Sequence, residues 1–167
     1  MTLEELATRE MKLSNVIISL EGTIEQKQAK IVELRVCDTY RKIFKEYSER
    51  SKSDIEALKR GLFLIWYHHV EPMFLTGIDY LDAEEETKII SSLEMYFIRK
   101  QPDYELEWMF SYYSSWHYLF KYTDFPLFND KLLDYESKSL IPSIIDREAM
   151  KKRGQMGEYW ISLNKFS

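Results

Sequence analysis

The sequence predicts an all-α fold, and three observations support that reading. Apolar residues recur at three- and four-residue spacing through most of the chain. Helix-capping signatures punctuate it, at Thr2, Thr23, Ser53, Asp82 and Asp103. Five glycines and four prolines in 167 residues are too few for a sandwich or barrel that depends on tight turns. The expected architecture is a compact bundle of six or seven mostly antiparallel helices, entered through an N-terminal helical hairpin or one long helix. The length suits one domain. Within it, 1–50 form heptad-patterned N-terminal helices, 53–122 an aromatic-rich helical core, and 123–167 short helices and a C-terminal arm.

Thr2 and Glu5 make a Thr-x-x-Glu capping box. From there Leu3, Leu6, Leu13, Ile17, Leu20, Ile24, Ile31 and Leu34 hold a heptad seam that only Glu10 and Lys27 break. Gly22 interrupts the seam, and Thr23 with Gln26 reads as a restart. A hairpin turning near Gly22 is favoured over one long helix, because a glycine inside a helix costs about 1 kcal/mol. Past Leu34 the stripe changes phase through Val36, Tyr40, Ile43 and Tyr47, which predicts a helix to about Arg50.

Ser53 with Glu56 reads as the cap of the next helix. That helix is apolar on every side from Leu62 to Tyr67, and so should be central. Pro72 ends it. Asp82 with Glu85 caps a further helix, whose acidic first turn (Glu84, Glu85, Glu86) suits the positive end of the helix dipole. Pro102 closes it. Asp103 opens a helix striped with Leu106, Met109, Phe110, Tyr113, Trp116, His117 and Phe120, expected to run to about Tyr122. Beyond it come a short helix within 127–135 and a helix starting at Pro142 and terminated by Gly154 and Gly157. The tail from Tyr159 is expected to be a last helical turn or an extended arm.

The chemistry-bearing motifs are missing. No phosphate-binding glycine loop, nucleophile elbow or His-Glu-x-x-His is present. His68 and Glu71 lie one turn apart, a spacing that can seat a metal, yet two ligands do not make a site. Imidazoles at a helix C-terminus have the simpler role of meeting free carbonyls, so neither a metal nor a cofactor is expected. His117, with Asp124 or Glu105 as helpers, reads as a core histidine rather than a general base. Cys37 is the only cysteine. It excludes an intramolecular disulfide and reads as a small buried hydrophobe.

Lys151-Lys152-Arg153-Gly154-Gln155-Met156-Gly157 has the glycine spacing of a KH-type nucleic-acid loop, but the strands such a loop needs are not signalled. With a net charge of −5, nucleic acid is not an expected partner. The acidic N-terminus lacks the marks of a signal peptide, and the longest apolar run, Leu62–Tyr67, is too short to span a bilayer. No membrane association and a cytoplasmic location are expected.

Charge and aromatics provide the functional lead. Residues 27–60 hold ten Lys or Arg against six Asp or Glu, whereas 79–107 hold three against nine. Eighteen of the 25 aromatics lie between Leu62 and Phe128, more than one helix face can bury. Either the aromatic helix is surrounded, or some tyrosines line a partner surface. The reading that follows is a non-catalytic interaction protein, inhibitor- or immunity-like. It would hold a protein partner, perhaps basic, through Glu84, Glu85, Glu86, Tyr112, Tyr118 and Tyr122. The alternative is an enzyme or small-ligand binder with an inter-helical pocket near His68 and His117. A homodimer through residues 3–34 is a third expectation.

Overall fold

A computed structural model describes residues 1–120 and 122–163. Among the described residues every regular element is a helix. In chain order they are α1 (Leu3–Ser19), α2 (Ile24–Glu33), α3 (Val36–Arg50), α4 (Ile55–Val70) and α5 (Met73–Thr76), then α6 (Ala83–Ile98), α7 (Tyr104–Ser114), α8 (Pro126–Glu136), α9 (Arg147–Met150) and α10 (Gly154–Leu163). No helix there is long and apolar enough to cross a membrane. Positions 164–167 of the expected C-terminal arm lie outside the described residues.

The all-α class holds, but the described residues form ten helices rather than six or seven, because breaks at Arg35 and before Gly154 split longer runs and the one-turn α5 adds another. The capping boxes at Thr2 and Thr23 both form, with the Thr hydroxyl and the Glu5 or Gln26 side chain exchanging bonds with backbone N–H groups. The chain turns between Leu20 and Thr23, as the hairpin reading requires. Its two arms nevertheless pack chiefly elsewhere, α1 on α10 and α2 on α3 and α5. A second break follows at Arg35, whose backbone is left-handed (φ 55°) and separates α2 from α3.

Three further boundaries depart from expectation. The α4 cap is Asp54 rather than Ser53: its carboxylate, a stronger acceptor than a hydroxyl, takes the N–H groups of Glu56 (2.9 Å) and Ala57 (3.3 Å). α7 stops at Ser114, whose Oγ donates to the Phe110 carbonyl (2.7 Å), so Trp116, Tyr118 and Phe120 lie beyond the helix. Pro142 starts no helix. Asp146 caps the one-turn α9 instead, accepting from the Glu148 (2.9 Å) and Ala149 (3.1 Å) amides.

Gly154 and Gly157, expected to terminate a helix, belong to α10. Gly154 is left-handed (φ 63°) and turns the chain into it. A side chain at Gly157 would collide with the Met150 carbonyl.

α4 is the central element, buried from Ala57 to Trp66 and packed on α3, α6, α5 and α10. One continuous cluster of buried apolar side chains runs from Leu6 to Trp160. Its aromatic centre is Trp66, whose ring meets Tyr113 (5.0 Å between centroids), Tyr159 (5.1 Å), Trp116 (5.4 Å) and Tyr112 (5.6 Å). Trp160 stands edge-on to Trp108 (4.7 Å) and Tyr112 (5.0 Å). Tyr112, off the main stripe of its helix, is therefore surrounded by rings rather than left on a free face.

Candidate interaction groove

Two charged regions stand out, and they sit on opposite terms with solvent. The first is sealed. Glu10, which interrupts the heptad seam, is 1% exposed. One carboxylate oxygen accepts from the Tyr47 hydroxyl (2.6 Å) and the other from the Gln155 amide (2.8 Å), while the Gln155 side chain accepts from Tyr40 (2.9 Å). Burial pushes the Glu10 carboxyl up to about 7, against the opposing pull of Tyr47, the Gln155 amide and Arg60. Gly154 is required beside it, since a Cβ there would strike the Glu10 carboxylate.

An ion cluster adjoins Glu10. Arg153 binds Glu56 through two nitrogens and Glu105 through one (2.5 Å). Arg60 binds Glu56 (2.7 Å) and the Leu3 carbonyl (2.8 Å), and Lys59 binds Asp103 (2.7 Å) and Glu105 (3.2 Å). Burial raises the Glu56 carboxyl, but Arg153 and Arg60 outweigh it and hold the group below the usual carboxylate range. These contacts join α1, α4, α7 and α10. A signal for them exists in the sequence: Lys59 and Arg60 fall within the stretch from Ala57 to Trp66, which is otherwise apolar, and a cation buried there needs a carboxylate.

The second region is open. α3 and α6 lie side by side, bridged by Ser48 with Glu85 and by Ser51 with Ser92 (2.8 Å). The two bridges ascend together along both helices, so α3 and α6 run in the same sense. Above them lie a cleft of about 590 Å³ and a second of about 530 Å³, which share Glu49 and Lys88. A small third cleft of about 160 Å³ shares Arg35, Asp38 and Arg41 with the second. Together they form a groove along the α3–α6 pair.

The walls of this groove differ in sign. On the α3 side the lining residues include five cations (Arg35, Arg41, Lys42, Lys45, Lys52) against two carboxylates (Asp38, Glu49). On the α6 side they include three carboxylates (Asp82, Glu84, Glu85) against Lys88. The charge imbalance between 27–60 and 79–107 thus becomes the two sides of one cleft. Each wall also carries a regular outward stripe. Lys42, Lys45, Glu49 and Lys52 recur at three- and four-residue spacing on or just past α3; Glu84, Lys88, Ser91 and Met95 do so on α6.

The six residues singled out from sequence do not share one accessible surface. Glu84 (side chain 78% exposed) and Tyr118 (65%) are open. Glu85 is buried under Ser48 and Lys88. Glu86 accepts from the Tyr122 hydroxyl (2.6 Å), and burial raises its carboxyl in spite of that bond. Tyr112 and Tyr159 share a hydroxyl–hydroxyl bond of 2.6 Å. The acidic run therefore contributes one open carboxylate, Glu84, to the groove, and Tyr112 and Tyr122 tie segments of the fold together.

The other candidates are placed as follows. Burial raises the Cys37 thiol to about 11, with Asp79 adding to it, the opposite of what a nucleophile needs. His68 and His69 are in ring contact (4.9 Å), and His69 stacks on Phe120. Burial and the neighbouring His68 lower His69 to about 4. His117 lies 3.3 Å from Glu136 rather than against Asp124 or Glu105, and without hydrogen-bond alignment. No histidine among the described residues lines the groove. Among the described residues no three metal-type side chains converge. Comparison with known proteins brings no family model, no curated protein and no solved structure that matches this chain.

Proposed function

We propose that this chain is a non-catalytic interaction protein that holds a helical segment of a polypeptide along the α3–α6 groove. One observation carries the proposal: two parallel helices leave a continuous open cleft whose walls are opposite in charge and whose outward stripes have helical spacing. An amphipathic helix docks along such a pair by matching residues at i, i+3, i+4 and i+7 to the wall of opposite charge. Glu84 is the accessible carboxylate that meets a basic residue of the partner, and Lys42, Lys45 and Lys52 meet acidic ones. A cytoplasmic setting fits a chain whose single thiol is buried and unpaired.

The competing reading, an enzyme or small-ligand binder acting near His68 and His117, has less to support it. Its histidines are engaged by one another, by Phe120 and by Glu136, with no cleft between them among those described.

A photo-reactive amino acid in place of the exposed Ser91 tests the groove in living cells, with the same label at exposed Lys12 as control. The proposal requires a covalent adduct to a polypeptide from position 91 and none of that mass from position 12. Failure of position 91 to cross-link any polypeptide overturns it.

A further inference from the structure

Resting on the groove reading above, we infer that the polypeptide it takes is a second copy of this chain, docked about a two-fold axis parallel to the groove. The argument is one of symmetry and charge. A two-fold axis laid along the groove carries α3 of one molecule over α6 of the other, and preserves position along the groove. An axis laid across the groove would instead set α3 against α3, cation wall on cation wall. Only the first arrangement brings walls of opposite sign together twice, once on each side of the axis.

The pairing holds at individual positions as well as over whole walls. The Ser48–Glu85 and Ser51–Ser92 bridges set the level of each residue along the groove. The two bridges have sequence offsets of 37 and 41, and at the midpoint of 39 Lys45 stands level with Glu84, and Glu49 with Lys88. In the dimer Lys45 meets Glu84 of the second copy, Glu49 meets the second copy's Lys88, and Lys52 spans Ser91 and Met95. Each charged level pairs opposite signs, although the sign alternates from one level to the next. All four charged side chains are accessible for this, at 61% for Lys45, 78% for Glu84, 54% for Glu49 and 39% for Lys88. The same alternation, read within one molecule, accounts for the Lys88–Glu84 pair (3.1 Å) and the loose Lys45–Glu49 pair (4.0 Å), which are the bonds the dimer exchanges. The interface expected is salt-sensitive, because every one of these pairs is solvent-exposed.

Sedimentation velocity on the full chain tests the inference through charge exchange. Wild type is expected to dimerise at an ionic strength of about 0.01 M, where the Debye length is about 30 Å, and to dissociate at about 1 M, where it is about 3 Å. Lys42→Glu with Lys45→Glu makes both walls acidic, and Glu84→Lys with Ser91→Lys makes both walls basic. Each variant alone should be monomeric while retaining the wild-type circular dichroism spectrum. Mixed one to one, they should form a heterodimer, since each acidic wall then faces a basic one on both sides of the axis.

A monomeric wild type at low salt, a dimer that survives in either variant, or a mixture that stays monomeric would each overturn the inference. The cross-link from position 91 separates the two claims. An adduct to some other polypeptide refutes self-association and leaves the groove reading standing; an adduct of twice the chain's mass, containing only its own peptides, supports both.

Discussion

Glu56 and Glu84 are both carboxylates near the start of a helix, each with a cation one turn on, yet they end in opposite circumstances. Glu56 lies where α4 meets α10, and two guanidiniums close over it. Glu84 lies on the rim of the groove with its side chain 78% exposed, and its one cation, Lys88, is shared with Glu85. Around the first, every charge is matched inside the molecule; around the second, the walls remain unlike and uncovered. The contrast separates two uses of charge. Ions buried between helices decide which helices meet, because a solitary one is too costly to bury. Ions along an open groove decide what may approach from outside.

The sharpest way to break the comparison is to remove one ion from each region. Arg153→Met removes the cation that Glu56 and Glu105 share, and should cost about 3 kcal/mol in urea unfolding. Lys45→Met, in the groove, should change stability by less than about 0.5 kcal/mol. Comparable losses from both would abolish the distinction.

Proton binding sharpens the comparison further. The Glu10 carboxyl sits at about 7 in the folded chain against an ordinary value of 4.5, so the folded state holds a proton there that the unfolded state gives up. Its contribution is fully present below pH 4.5 and is lost as pH rises through about 7, by up to roughly 3 kcal/mol. His69 works the other way: its value is lowered from 6.5 to about 4, so stability is gained as pH rises over that span. The Glu10 effect is therefore read as the difference between wild type and Glu10→Gln, which should narrow steadily from pH 7 down to 4.5. A difference independent of pH would contradict it.

Gly154→Ala should cost about 2 kcal/mol, combining a left-handed backbone with a collision against a carboxylate held by two hydrogen bonds. Smallest of all, Tyr118→Ala should leave the melting temperature within about 1 °C, because the ring is mostly in solvent. Thermal unfolding of both variants checks the pair.

Much of the fold was legible because its signals are local. The boxes at Thr2 and Thr23, the cap at Asp82, and Pro72 as the stop after α4 all depend on residues within one turn of each other. The aromatic run past Ser114 was misread because its stripe continues in register while its serines end the helix. A periodic pattern reports which positions are buried and not whether the backbone stays helical between them. The groove was half legible. The opposite charges of 27–60 and 79–107 can be counted in the sequence, but their adjacency depends on α3 and α6 both packing against α4. Glu10 looked like a flaw in a seam of Leu and Ile. Its partners, Tyr47 and Gln155, lie 37 and 145 positions away, beyond the reach of any spacing rule.

The bond between Glu10 and the Gln155 amide also bears on how the chain is made. Ribosomes emit about 5–20 residues per second, so α1 emerges on the order of ten seconds before its main neighbour, α10, exists. Throughout that wait the face of α1 that carries Leu6 and Glu10, and the rings of Trp66 and Tyr113, lack the helix that later covers them. Nascent molecules stalled before Gly154 should consequently engage chaperones, and release of the final stretch should end that engagement.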